Sequence, residues 1–299
     1  MNATALALIL VAAVAHASWN LFSKQASLAG AACFVWLMSA AAAVIYAPVL
    51  AASLIVSPPH LTARSWVFLA GTAVLQTGYF LFLQRAYLVG DLSLVYPVGR
   101  GTGALLAALA GIVILGERPG PAGLAGIVLL VAGVIVLGLP GRPRPAATSS
   151  PATRTRAVTA PAAVLYALAT GVFIAGYTLW DKVAVTSVGN PPLLQDYASL
   201  IGMTLVLAPF ALADSARTTQ MWHTYRRQVV GAAVLSPLAY ILVLVAMRFT
   251  SVSAVAPARE ISVLFGVVLG RRLLNEGGLA RRLTGAAAIV AGIIAVALG

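Results

Sequence analysis

At ten places in this chain, about twenty residues pass with almost no charge. The stretches are 3–23, 31–52, 65–84, 92–115, 120–139, 161–180, 192–213, 228–247, 253–270 and 280–298. A helix that crosses the hydrocarbon core of a bilayer needs about 20 such residues. No other feature narrows the possible folds so far. In lipid, every backbone donor and acceptor must be met inside the protein, so an apolar chain of this kind becomes a bundle of spanning helices. Composition agrees. Charged residues make up 9% of the chain, against about 25% in an average soluble protein. The expected fold class is an all-α integral membrane protein with ten transmembrane helices.

The net charge of +12 does not point to nucleic acid. The basic residues stand between apolar segments, where they orient a membrane protein. One cysteine, Cys33, excludes an intrachain disulfide. The first 18 residues have the length of a signal peptide, with Ala15-His16-Ala17 as a small-x-small site, but they lack a basic leading segment. A first membrane helix is the better reading.

Most connections are short. The exception is GRPRPAATSSPATRTR, residues 141–156. It is rich in Pro, Ser, Thr and Arg and has little to bury, so it reads as a flexible linker. It separates a first five-helix unit, 1–140, from a second, 157–299.

The two units resemble each other. SLVYPVGR (93–100) lies over SAVAPARE (253–260), pairing Ser93 with Ser253, Val95 with Val255 and Pro97 with Pro257. Glu117, Gly126 and Gly133 pair with Glu276, Gly285 and Gly292, and WNLFSK (19–24) lies over YTLWDK (177–182). Three anchors in one order at a nearly constant offset make an internal repeat. Five spans is an odd number, so the second repeat enters the membrane from the opposite side. That is an inverted-topology repeat, the plan of many secondary transporters.

The motifs HASWNLFSK (16–24), GDLSLVYPVGRG (90–101) and LGER (115–118), with a proline in the fourth helix of each unit, resemble the drug/metabolite transporter superfamily and within it the EamA family. The resemblance implies ten helices, a central cavity and movement of small metabolites such as amino acids, with no fixed substrate. Small relatives in that superfamily exchange protons on a first-helix glutamate. Here the first span has no carboxylate, and His16 is its only titratable side chain before Lys24.

Charges at bilayer depth are rare and face the bundle interior or a wet cavity. Arg100 lies about 12 Å into its span at 1.5 Å per residue. Its repeat equivalent is Glu260, with Arg259 beside it. The functional reading is a substrate clamp. Arg100 holds a carboxylate or phosphonate, which its planar fork suits, and Glu260 or Arg259 holds the other end. The plainer reading is a structural ion pair. Of seven carboxylates, only Glu260 is expected to lie deep. Pro97 and Pro257 each precede these positions by three residues and are expected to kink their helices.

His16, Asn20 and Ser23 share a helix face, with Trp19 adjacent. Tyr79, Tyr96, Tyr177 and Tyr240 supply rings with polar tips, suited to a small amphipathic metabolite. Gln76, Gln84 and Tyr87 share the third span with Tyr79. Lys24, Trp180, Asp181 and Lys182 fall at span ends and read as interfacial anchors. Glu117 and Glu276 read as helix caps.

The expected function is a secondary transporter of a small polar or zwitterionic metabolite, working by alternating access and more as exporter than importer. The alternative is a flippase-type carrier of a lipid-linked substrate. There is no DDxxD-like cluster for a metal-dependent transferase and no GxSxG serine, so no enzyme, metal or cofactor is expected. The expected partners are the lipid bilayer and the small-molecule substrate, with the chain a monomer or homodimer in a bacterial inner membrane. The connections after spans 1, 3, 5, 7 and 9 carry 13 cations and the opposite set 4. Positive charge stays cytoplasmic, which puts both termini outside. The family resemblance implies both inside.

Overall fold

A computed structural model of the protein describes residues 3–26, 30–115, 120–138, 160–246, 261–274 and 278–298. Among these it has ten α-helices: α1 Ala3–Ala26, α2 Ala31–Val56, α3 Ala63–Val89, α4 Leu92–Leu115, α5 Pro121–Gly138, α6 Ala160–Val183, α7 Pro192–Ala213, α8 Ser215–Ala246, α9 Ile261–Leu274 and α10 Leu279–Leu298. A π-helical turn, Ala184–Val188, extends α6 and ends at Gly189 in the left-handed region. By length and composition, α2, α3, α6 (over Pro161–Asp181) and α7 are each sufficient to cross a membrane. Large apolar side chains such as Val44, Val128, Leu165, Leu205 and Phe210 face outward. That surface suits lipid rather than water.

Local chemistry sets several helix ends. At the start of α3, the Thr62 hydroxyl accepts from the Ser65 N–H and the Ser65 hydroxyl accepts from the Thr62 N–H. This capping box answers two donors that the first turn leaves open. Pro192 opens α7, where a missing N–H costs nothing.

Two predicted boundaries need correction. The polar residues Gln84, Arg85 and Tyr87 suggest that the third span stops near 84, yet α3 runs to Val89 because Gln84 and Tyr87 are buried. The segment SARTTQMWHT reads as a loop by hydropathy, but α8 begins at Ser215. Thr218 and Met221 are buried on one side of it while their neighbours are exposed. It is therefore an amphipathic extension, set off by a non-helical Tyr225 (φ −120°, ψ 21°). Residues 253–260, the predicted start of the ninth span, lie outside the described residues.

Helix packing repeats when the halves are exchanged. α1 packs on α8 as α6 packs on α3, and α1 meets α9 as α6 meets α4. α2 meets α8 as α7 meets α3, while α2–α7, α4–α9 and α5–α10 pair equivalents directly. The α5–α10 contact shows why. A Cβ on Gly133 would come within 2.8 Å of the Gly285 carbonyl, and one on Gly292 within 2.7 Å of the Gly126 carbonyl. These are the repeat-related glycines, each meeting its counterpart's partner. Such close backbone approach requires glycine.

Polar contacts sort the connections to two ends. At one end, the Lys24 ammonium donates to the Tyr87 and Gly90 carbonyls. Arg282 pairs with Asp91 and Ser93 there, and Gln228 bonds Gln25 at 3.3 Å. At the other end, Trp180 Nε1 donates to the Phe68 carbonyl at 2.9 Å and Asn190 Nδ2 to the Ser65 carbonyl at 3.3 Å.

Candidate functional site

Aromatic rings from α4, α1, α3 and α6 form a continuous chain. Tyr96 stands 5.9 Å from His16, and His16 stands 5.3 Å from Trp19, edge to face. Trp19 meets Phe80 at 5.5 Å, Phe80 meets Tyr79 at 4.9 Å, and Tyr79 meets Tyr177 at 5.5 Å. Edge-to-face and tilted pairs at these distances are favourable. The Trp19 indole N–H donates to His16 Nδ1 at 3.3 Å, which fixes that nitrogen as the acceptor in this arrangement. The Tyr96 hydroxyl donates to the Ser262 hydroxyl on α9 at 2.8 Å. One turn on, Gly266 leaves room for the Tyr96 ring, since a Cβ there would meet it at 2.3 Å.

Arg100 is one turn beyond Tyr96 on α4, partly buried, and within electrostatic reach of Tyr79. A guanidinium thus lies within reach of Tyr79, which itself meets Tyr177 of the second half. Arg offers a planar donor fork and stacks readily on aromatic faces. The rings limit water, and the fork suits an anion. Pro97 lies buried inside α4, between Tyr96 and Arg100.

The structure therefore brings together six of the predicted residues: His16, Trp19, Tyr79, Tyr96, Arg100 and Tyr177. Asn20 is close by and engaged at both ends of its amide. Its amide donates to the His16 carbonyl at 2.8 Å and its oxygen accepts from the Tyr87 hydroxyl at 2.6 Å. Tyr240 is partly buried on α8, which packs on α1. Glu260, Arg259 and Pro257 lie outside the described residues, as do Glu117 and Glu276.

Two expectations at span ends are corrected, those for Lys24 and Asp181. Lys24 is not an interfacial anchor: it is buried and satisfies the last carbonyls of α3, where a cation also complements the helix dipole. Trp180 stacks near Phe68, with ring centres 4.4 Å apart. Asp181 does not project to water. Its carboxylate accepts from Gln195 Nε2 at 3.0 Å, and Gln195 in turn accepts from Asn190 Nδ2 at 2.9 Å. Asp196 lies within electrostatic reach of Asp181. Glu260 is therefore not the only carboxylate set among the helices.

Phe80, Ser262 and Gln195 were missed by the sequence reading. Ser262 follows Glu260 by two residues, so the repeat motif marked its neighbourhood. Phe80 carries no polar signal that separates it from any other core ring.

The profile of the EamA-like transporter family matches the chain twice, over residues 3–139 and 161–298. A solved structure described only as "Crystal structure of protein" is similar over 98% of this chain and 98% of its own, with a TM-score of 0.56 and 19% identity. That likeness speaks to the fold alone. No curated protein matches the chain.

Proposed function

This chain belongs to the EamA-like transporter family, and from that premise we propose that it moves a small polar or zwitterionic metabolite through a site centred on Arg100. Membership makes it a multi-pass membrane transporter of the drug/metabolite type. The finer reading is a ten-helix secondary carrier with an inverted repeat, working by alternating access and chiefly outward, in a bacterial inner membrane. Helix packing that survives exchange of the halves supports the repeat, as does the reciprocal meeting of Gly126 and Gly133 with Gly292 and Gly285.

The observation that carries the substrate reading is the position of Arg100. It lies within electrostatic reach of Tyr79, one member of a run of rings to which the first half gives Tyr96, His16, Trp19, Phe80 and Tyr79 and the second gives Tyr177. A site built from both halves changes shape when they rock. That is what alternating access requires. The guanidinium holds the anionic end of the substrate, and the rings cover its apolar body.

Thermal unfolding of the purified protein tests this against a panel of amino acids, phosphonates, nucleosides and cationic drugs. A ligand that binds the folded state raises Tm. A carboxylate or phosphonate is expected to stabilise wild type and to lose that effect in a folded Arg100→Ala. Equal stabilisation of both proteins would move the site away from Arg100.

A further inference from the structure

Between the apolar parts of α7 and α8 runs a polar segment, DSARTTQMWHTYRRQ, residues 214–228. It holds three arginines and one acid, Asp214. The acid is spent at the helix start, where its Oδ1 accepts from the Arg217 backbone N–H at 3.2 Å. The first ten residues of α8 make about 15 Å of helix, and the non-helical Tyr225 sets them apart from the remainder. Thr218 and Met221 are buried and Tyr225 half-buried. These positions fall at i, i+3 and i+7 on one stripe, so a single narrow face holds the segment to the protein. The other residues from Ser215 to Arg227 are exposed, Trp222, Arg226 and Arg227 among them.

Two observations say what the outer face meets. The first is depth. Phe210 and Leu212, in the last turn of α7, are large, apolar and exposed, and so is Val230, just beyond Arg227. Apolar surface of this kind faces lipid. The polar segment therefore starts where lipid-facing surface stops and ends where it resumes, which is the level of the phospholipid headgroups. An exposed indole is at home there. The second is charge. Among the described residues, no acid pairs with Arg226 or Arg227. The Gln228–Gln25 bond sets the segment at the same end as Lys24. Arg217 is turned back over the start of α2, where a Cβ on Gly30 would meet its Nε at 3.0 Å, which leaves Arg226 and Arg227 to face outward.

We propose that residues 215–227 form a docking surface for anionic phospholipid, with Arg226 and Arg227 holding headgroup phosphates and Trp222 seated at the headgroup boundary. A guanidinium bonds phosphate through its planar fork, and each arginine near a membrane surface favours anionic over neutral lipid. The surface is separate from the Arg100 site, and the assignment stands whatever the substrate is.

Brominated lipids make the test, because bromine quenches an indole that it touches. The full-length protein is placed in vesicles of equal parts phosphatidylcholine and phosphatidylglycerol, with bromine on the upper acyl chain of one lipid or the other. The Trp222 signal is the difference between wild type and Trp222→Phe. Brominated phosphatidylglycerol is expected to quench that signal at least about two-fold more than brominated phosphatidylcholine, since a pair of arginines suffices for enrichment of that order. Bromine high on the chain is expected to quench more than bromine near its end. The lipid preference is expected to vanish in Arg226→Gln/Arg227→Gln and to weaken in about 0.5 M salt, which screens exposed charges. Both arginines are exposed, so the double variant is expected to keep the wild-type Tm. Equal quenching of wild type by the two lipids overturns the proposal, as does a preference that survives in the double variant. Absence of quenching by either lipid would place Trp222 in water or against protein, and overturns it as well.

Discussion

A guanidinium eight residues into a spanning helix is expensive unless something compensates it. Around Arg100 the described neighbourhood includes the Tyr96 turn of its own helix and Tyr79 of α3. That makes the ring geometry as important as the charge. Gly266 is the most sensitive point, because its missing side chain is where the Tyr96 ring lies. Gly266→Ala is expected to push Tyr96 off Ser262 and to cost about 1–3 kcal/mol, the usual range for overpacking. Thermal unfolding would measure the cost, and loss of Arg100-dependent ligand binding would report the displaced ring. Lys24→Met removes the donor for two carbonyls at the end of α3 and is expected to destabilise by about 1–3 kcal/mol with ligand affinity unchanged. Arg100, His16 and the tyrosines were legible in the sequence because polar groups stand out in an apolar run. Asp181 and Lys24 stood out equally but were misjudged. Both fall near the ends of apolar stretches, and hydropathy does not show that a helix continues or that a neighbour folds over. Whether a span-end charge meets water or protein is decided by tertiary contact alone.

Ten apolar stretches foreshadowed ten helices because the bilayer sets both the length and the composition of a spanning element. Boundaries were less legible where a helix carries polar residues for tertiary reasons. α3 extends to Val89 with Gln84 and Tyr87 buried, and the first ten residues of α8 bury only Thr218 and Met221 among polar neighbours. In such segments amphipathicity, not hydropathy, is the signal. The contact between α5 and α10 was visible only in outline. The repeat pairs Gly126 with Gly285 and Gly133 with Gly292, but which glycine meets which depends on the axis relating the halves. The observed crosswise pairing makes a quantitative prediction. Gly133→Ala and Gly285→Ala meet backbone at 2.8 Å and side chain at 2.6 Å respectively, so both are expected to lower stability by about 1–3 kcal/mol. Thermal unfolding of the single and double variants would check it. Because the two residues touch, the double variant should depart from additivity.

At the scale of the whole molecule, the polar ties fall at two ends, and they differ in kind. One end closes with Arg282 on Asp91 and Lys24 on carbonyls. The other closes with neutral donors, Trp180, Asn190 and Gln195, on α3 carbonyls. The first end gathers connections from the cation-rich set of 13, which the charge rule assigns to the cytoplasm and the family resemblance to the opposite side; fusions at the C-terminus test the charge rule. A phosphatase fused to the C-terminus is then expected to be active and a fluorescent protein fused there dark; the reverse pair of results would show both termini inside. The repeat, and with it the general plan, was legible because duplicated motifs keep their order and spacing. The site was legible only in part, because it is assembled from five helices whose mutual approach no single stretch encodes. The measurement that bears most directly on the account is counterflow in liposomes. Vesicles containing the purified protein would be loaded with the carboxylate that best protects wild type from unfolding. Uptake of the labelled compound would then be compared between wild type and Arg100→Ala. Wild type is expected to accumulate label well above protein-free vesicles, with Arg100→Ala at the protein-free level; an Arg100→Ala protein that exchanges at the wild-type rate would contradict a site centred on Arg100.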